Sequence, residues 1–333
     1  ALALIVFIFT VGILFVFKAF IGVQRFFVFM TSKSRTPKSD LQEPANHGLY
    51  ATRNFTISHL DQQEDVDVVL GVYHVLPDHL VRKYAKELHI DEATLPKAPE
   101  GVQQEKKKEW KPLQYTEFER VVQRPNLDLN DSATHKQLFE AALCAASNGV
   151  VLYLHGNTSS RAIDYRVALY KVLRSLNYQV VTFDYRDFGD STNIPPTERG
   201  LVNDALAVYQ YITSIADQPV YLWGHSLGTG VATHLMSRLT EMGLPGPRKV
   251  ILESPFNNLK DEIRAHPYAK FHKRLPWFDY FVTKPMYDNG FRFESDKHIA
   301  EFKQPVMILH AEDDPTVPFE LGKKVSPNVS NMD

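Results

Sequence analysis

The sequence predicts an α/β architecture: a mostly parallel central sheet with helices on both faces. Three observations carry that expectation. Short, nearly continuous apolar runs recur from residue 149 onward: "GVVLYL", "QVVTFD", "PVYLWG", "KVILES" and "PVMILH". Amphipathic segments separate the first four, among them "YRVALYKVLRSL" (165–176) and "LVNDALAVYQYI" (201–212). Strands buried on both faces read as unbroken apolar runs, and parallel neighbours need a crossover, usually a helix. The third observation is "LWGHSLGTGVATHLMSRL", a strand, a sharp turn and a helix in immediate succession.

That turn holds the chemistry. Gly224-His225-Ser226-Leu227-Gly228 matches G-x-S-x-G between an apolar strand and a helix. A serine on so tight a turn needs small neighbours, because a Cβ at either flanking glycine meets the adjoining strand or helix. The turn lifts the Ser226 hydroxyl to a helix N-terminus, where unpaired N–H groups favour negative charge. A glycine-rich turn with an incidental serine is the plainer reading of five residues alone. The strand before and the helix after weigh against it.

Two further stretches are expected at the same sheet edge. Strand 150–154 runs into His155-Gly156, whose loop supplies one oxyanion donor in enzymes of this design, while the residue after the nucleophile supplies the other. That assigns the backbone N–H groups of Asn157 and Leu227. Strand "PVMILH" runs into "AEDDPTVP", which places Asp314 as the acid, with Glu312 and Asp313 as secondary candidates that also read as an exposed acidic turn. The expected chain order is serine, acid, histidine, yet the 19 residues after Asp314 contain no histidine. His225 belongs to the elbow, His155 to the oxyanion loop, and His310 lies too close along the backbone to bridge Asp314 to Ser226. His266, His272 and His298 are the remaining surrogates.

The rest of the chain frames this site. Residues 1–30 are apolar, with no charge before Lys18, long enough to cross a bilayer core of about 17–25 helical residues; they are expected to be a transmembrane anchor. Arg25, Lys33, Arg35 and Lys38 around its end argue for a cytosolic domain, whereas Asn54, Asn130, Asn157 and Asn328 head glycosylation sequons that matter only in a lumenal one. If Asn157 donates to an oxyanion, a glycan there blocks the site. Residues 31–66 read as a stalk, 77–148 as an insertion containing a helix at 135–146, and the aromatic-rich 254–303 as a cap. Of the 333 residues, 44% are hydrophobic and 23% charged, with net charge −2. This excludes a polyanion-binding field, so nucleic acid is no expected partner. The lone Cys144 excludes an internal disulfide or a cysteine metal site. No phosphate-binding or dinucleotide loop is present, so no cofactor is expected.

With these pieces placed, the chain resembles the α/β-hydrolase superfamily. More narrowly, it resembles the membrane-anchored lysophosphatidylserine and monoacylglycerol lipases of the alpha/beta hydrolase domain-containing protein twelve subfamily. "YLHGN", "YRVALYKVL", "VVTFDYRDFGDST", "WGHSLGTGVAT", "ILESPFNN" and "ILHAEDDPTVPFELGKK" carry the likeness. It implies a hydrolase domain over 67–325, Ser226 as nucleophile, Asp314 as acid, and hydrolysis of acyl esters of lysophospholipids or monoacylglycerols. It also implies a single-pass protein of the endoplasmic reticulum membrane with a lumenal catalytic domain. Three departures stand out. The oxyanion loop reads "HGNTSS" where the family has a glycine two or three places on; residues 77–148 are longer than the family's connection; and 326–333 diverge where the family continues to its histidine. The expectation is therefore a lipase whose 333-residue chain, lacking the base, is nearly inactive. The alternative is a non-catalytic, membrane-anchored lipid-binding isoform, and acyl transfer by the same serine shares every motif.

Overall fold

The computed structural model describes residues 12–31, 36–90, 116–125, 127–145, 147–266, 269, 273–275 and 277–325. Seven strands among them form one sheet: β1 (Thr52–Asp61), β2 (Val66–Val75), β3 (Val150–Leu154), β4 (Gln179–Phe183), β5 (Val220–His225), β6 (Lys249–Glu253) and β7 (Val306–Leu309). Their order is β1-β2-β4-β3-β5-β6-β7. β1 and β2 form an antiparallel hairpin, β2 joins β4 antiparallel, and every later pairing is parallel.

The apolar runs form strands because both their faces are covered. Every residue of β3 and β4 is buried. Side chains alternate across a strand, and β3 shows where each set goes. Leu152 and Leu154 join one cluster with Leu201, Val208, Val231 and Leu235, whereas Val151 and Tyr153 join another with Val167, Tyr170 and Leu173. The helices behind these clusters are α3 (Asp164–Ser175), α4 (Glu198–Ile215) and α5 (Leu227–Glu241). The expected two-sided covering is therefore present. α4 begins at Thr197, whose side chain accepts the Gly200 N–H at 2.9 Å and so satisfies one orphan donor of the first turn.

One expectation about the N-terminal part changes. Residues 52–61, assigned to the stalk, are β1. Polar strand positions misled the reading, and the structure gives them partners: Arg53 stacks on Phe55 at 4.2 Å, His59 meets Asp204 at 3.0 Å, and Asn54 Oδ1 accepts from Arg161 at 3.1 Å. The single span expected over 1–30 lies partly outside the described residues. Residues 1–11 lie outside the described part, and among the described residues no single helix is long and apolar enough to cross a membrane. Instead α1 (Gly12–Ala19) and α2 (Ile21–Phe29) meet at an 89° bend, a pair that passes the test for a span only when taken together.

Gln24 accounts for the bend. Its buried amide donates to the carbonyls of Phe17 (2.9 Å) and Lys18 (3.4 Å), which the break strips of helical partners, and its Oε1 accepts from Asn289 at 2.8 Å. α2 then lays Val28 and Phe29 into the main core, with Phe29 edge-on to Phe291 at 5.7 Å.

The insertion is partly built. Asp78–Lys83, Thr116–Val122 and Ser132–Cys144 are helices around Leu80, Phe118, Val121 and Phe139, a small core of their own. The lysine-rich run at 101–112 lies outside the described residues. The expected cap contributes helix Leu259–Ala265, a π-turn at Asp279–Thr283 and helix Lys284–Asp288, with Phe278, Met286, Phe291 and Phe293 buried.

Because Phe29 is fully buried, its loss leaves a cavity rather than a trimmed anchor. Phe29→Ala is expected to cost about 3–5 kcal/mol of stability, read from the denaturant midpoint in detergent. An unchanged midpoint would show that α2 is only tethered to the domain.

Candidate active site

The carboxyl ends of β3, β5, β6 and β7 meet at one edge of the sheet. Leu154 is in register with Gly224, His225 with Glu253, and Glu253 with Leu309. The residues that follow these ends, His155, Ser226, Ser254 and the 310–318 loop, are thereby gathered, as expected for open α/β sheets.

Ser226 has φ 51 and ψ −116, a region that side-chain-bearing residues seldom occupy and that costs on the order of 1–3 kcal/mol. Neighbouring contacts hold it there. Its N–H donates to Glu253 O at 2.9 Å, and its carbonyl accepts from the Thr229 N–H (2.8 Å) and hydroxyl (2.7 Å). The flanking glycines are needed as expected. A Cβ on Gly224 would stand 2.4 Å from Gly228 O, and one on Gly228 would stand 2.1 Å from Leu154 O. His225 lays its ring against the loop after β3, where a Cβ on Gly156 would stand 3.0 Å from its Nδ1. Its ring faces Tyr165 at 6.1 Å and its buried Nδ1 lacks a partner among the described residues; burial pushes its pKa below the ordinary value.

The loop after β3 lies against Ser226. A Cβ on Gly156 would stand 3.3 Å from Ser226 Cβ. Among the described residues, neither the Asn157 N–H nor the Leu227 N–H has a hydrogen-bond acceptor. His155 is fully buried and held neutral, its pKa well below the ordinary value because it is desolvated and sits near the Arg166 charge. Thr158 and Ser159 take left-handed φ values of 68 and 59, a conformation that disfavours any Cβ. α2 reaches this loop as well: Phe29 O accepts from the Thr158 N–H at 3.4 Å, and Val28 O accepts from Asn157 Nδ2 at 3.5 Å. Nothing in the sequence pointed to that contact.

Asp314 is held as an anion. Burial raises its pKa, but the N–H groups of Thr316 (2.8 Å) and Val317 (2.9 Å) and the Ser254 hydroxyl (2.8 Å) outweigh it, so the net direction is down. Ser254, itself at φ 49, was not among the residues singled out; its place directly after a strand was the available signal. Glu312 and Asp313 are exposed. His310 donates from Nε2 to Val317 O at 2.8 Å and lies 3.6 Å from Asp314, packed beneath the acid loop. Among the other surrogates, His298 stacks on His234 at 4.4 Å, and His272 lies outside the described residues. No hydrogen bond joins the Ser226 hydroxyl to a histidine among the described residues. The described residues contain no cluster of histidine, cysteine or carboxylate able to hold a metal ion.

The comparisons agree with the fold. A family model described as the alpha/beta hydrolase fold matches residues 149–251. A curated protein named lysophosphatidylserine lipase ABHD12 from Macaca fascicularis is 38% identical over 95% of this chain and 66% of its own length. The Gallus gallus protein of that name is 39% identical over 95% of this chain and 68% of its own. Human protein ABHD12B is 41% identical over 56% of this chain and 51% of its own. This chain thus spans just under two thirds of the macaque protein's length.

Since the folded pKa of Asp314 lies below the ordinary 3.8, its ionised form stabilises the protein above that pH, and the contribution is lost as pH falls through the folded value. Ser254→Ala removes one donor to the carboxylate. The Asp314 pKa is expected to rise, and the stability gap from wild type to close in acid, as followed by carboxyl-carbon titration in NMR. An unmoved pKa would contradict the Ser254–Asp314 bond.

Proposed function

Because this chain belongs to the ABHD12-type α/β-hydrolases, we propose that it is a serine ester hydrolase of single-chain acyl lipids, lysophospholipids such as lysophosphatidylserine first and monoacylglycerols second. The observation that carries this reading is the strained Ser226 beside two uncommitted backbone N–H groups. In the proposed reaction, Ser226 Oγ attacks the acyl carbonyl. The N–H groups of Asn157 and Leu227 receive the negative charge that develops on its oxygen, and collapse of the intermediate expels the glyceryl oxygen. Water then releases the fatty acid from the acyl-enzyme. Asp314 orients and offsets the charge of a histidine base, which no described histidine supplies by hydrogen bonding to Ser226. A lipid-binding role without turnover is the second reading.

A bilayer is proposed as the source of substrate. α1 and α2 leave Ile13, Phe15, Val16, Phe20, Phe26 and Phe27 exposed, an apolar face suited to lipid. The proposed location is the endoplasmic reticulum membrane with the catalytic domain in the lumen, a reading that rests on the family resemblance.

The test is fatty-acid release from lysophosphatidylserine vesicles by the protein expressed from its native gene. Ser226→Ala is expected to lower turnover by on the order of 10⁶. Hydrolysis that persists in the folded Ser226→Ala protein would end the proposal.

A further inference from the structure

The loop after β3 is organised around one side chain that plays no part in the chemistry described above. Arg166, on α3, is fully buried and pairs with no carboxylate among the described residues. Its Nη1 donates to Ser160 O at 2.7 Å. Its Nη2 lies 3.1 Å from Gly156 O, 3.4 Å from Asn157 O and 3.0 Å from Thr158 O. A guanidinium kept from water is costly unless its donors are met, and here backbone carbonyls of a single loop meet them, leaving only Nε unpartnered.

A second donor converges on the same place. His155 Nδ1 lies 2.7 Å from Gly156 O; a carbonyl only accepts, so the proton is on Nδ1. Gly156 O therefore takes hydrogen bonds from both His155 and Arg166. The peptide unit is planar and trans, so its C=O and the following N–H point in opposite directions. Fixing Gly156 C=O toward Arg166 therefore fixes the Asn157 N–H to point away from it, with no acceptor of its own, in a loop whose Gly156 abuts Ser226.

We propose that Arg166 is the positioning residue of the oxyanion loop: it holds the Gly156 carbonyl, with His155, so that the Asn157 N–H stands ready for the oxyanion. The inference rests on the reading of Asn157 as an oxyanion donor. It also accounts for a loop that holds two left-handed residues, Thr158 and Ser159, without a glycine, because the carbonyls of Gly156 through Thr158 and of Ser160 are tied to one planar fork. Lysine cannot replace that fork, since its ammonium is a single point donor on a flexible stem.

The test compares Arg166→Lys with Arg174→Lys in the full chain expressed from its native gene. Arg174 lies on the same helix and is nearly as buried, but it bonds Asp78 (2.6 Å) and Tyr50 O (2.7 Å) instead of the loop. Two readouts are taken: the rate constant for labelling of Ser226 by an alkyl fluorophosphonate, and deuterium exchange of the peptide covering 155–163. Steady-state hydrolysis of a short p-nitrophenyl ester adds kcat and KM. Arg166→Lys is expected to slow labelling by about 10²-fold, the usual effect of losing one oxyanion donor, to lower kcat with KM unchanged, and to speed exchange across the loop. Arg174→Lys is expected to do none of these. Equal labelling rates in the two variants, a fall confined to KM, or unaltered loop exchange in Arg166→Lys would overturn the proposal. If Arg166→Lys does not fold, Arg166→Gln, which keeps a single NH2 group, is read in the same way. Labelling that survives Ser226→Ala would count against the nucleophile assignment, while the exchange data would still decide the role of Arg166.

Discussion

The fold turns on a close approach between backbones. β3, β5 and the first turn of α5 come so near one another that neither Gly224 nor Gly228 has room for a side chain. The chain must therefore reverse from strand to helix within one residue, and Ser226 takes the strained conformation that results. Its strain is offset by bonds to Glu253 and Thr229, which belong to β6 and α5. A change in any of these elements moves the hydroxyl. The rest of the site is a set of loops brought to this point by the strand register.

Around that point the charges are arranged by what surrounds them. Arg166 is buried among carbonyls of the loop after β3. Arg161 and Arg186 are buried as well, but they face carboxylates: Asp184 and Asp190 for the first, Asp61 and Asp204 for the second. Those pairs tie β1, the loop after β3, the segment after β4 and α4 together, which explains how a strand rich in polar residues holds its place at the edge of the sheet. Asp314, in the loop after β7, is held ionised by donors from its own loop and from Ser254. His155 stays neutral because it is desolvated beside a cation, which suits a ring whose task is to donate one hydrogen bond.

Much of this was legible in the sequence. The apolar runs gave the parallel sheet because burial on both faces leaves no polar alternation to confuse them, and the elbow was readable because its steric demands are local. The acid loop followed from its place after the last such run. β1 was missed because its polar residues face buried charges far away in the chain, and no local pattern records such partners. The bend at Phe20 was hidden because Gln24 is one polar residue in an apolar run, and its role depends on Asn289. Arg166 read as the polar face of an amphipathic helix; only the fold shows that this face meets a loop. The part of the site that depends on contacts between distant segments was not available from spacing alone.

The most direct test of the account is to locate the covalent adduct of an alkyl fluorophosphonate on the protein from its native gene, by peptide mass spectrometry. The account predicts one adduct, on the peptide carrying Ser226, formed only while the protein is folded. A folded protein that takes up no label, or takes it at another residue, would contradict it.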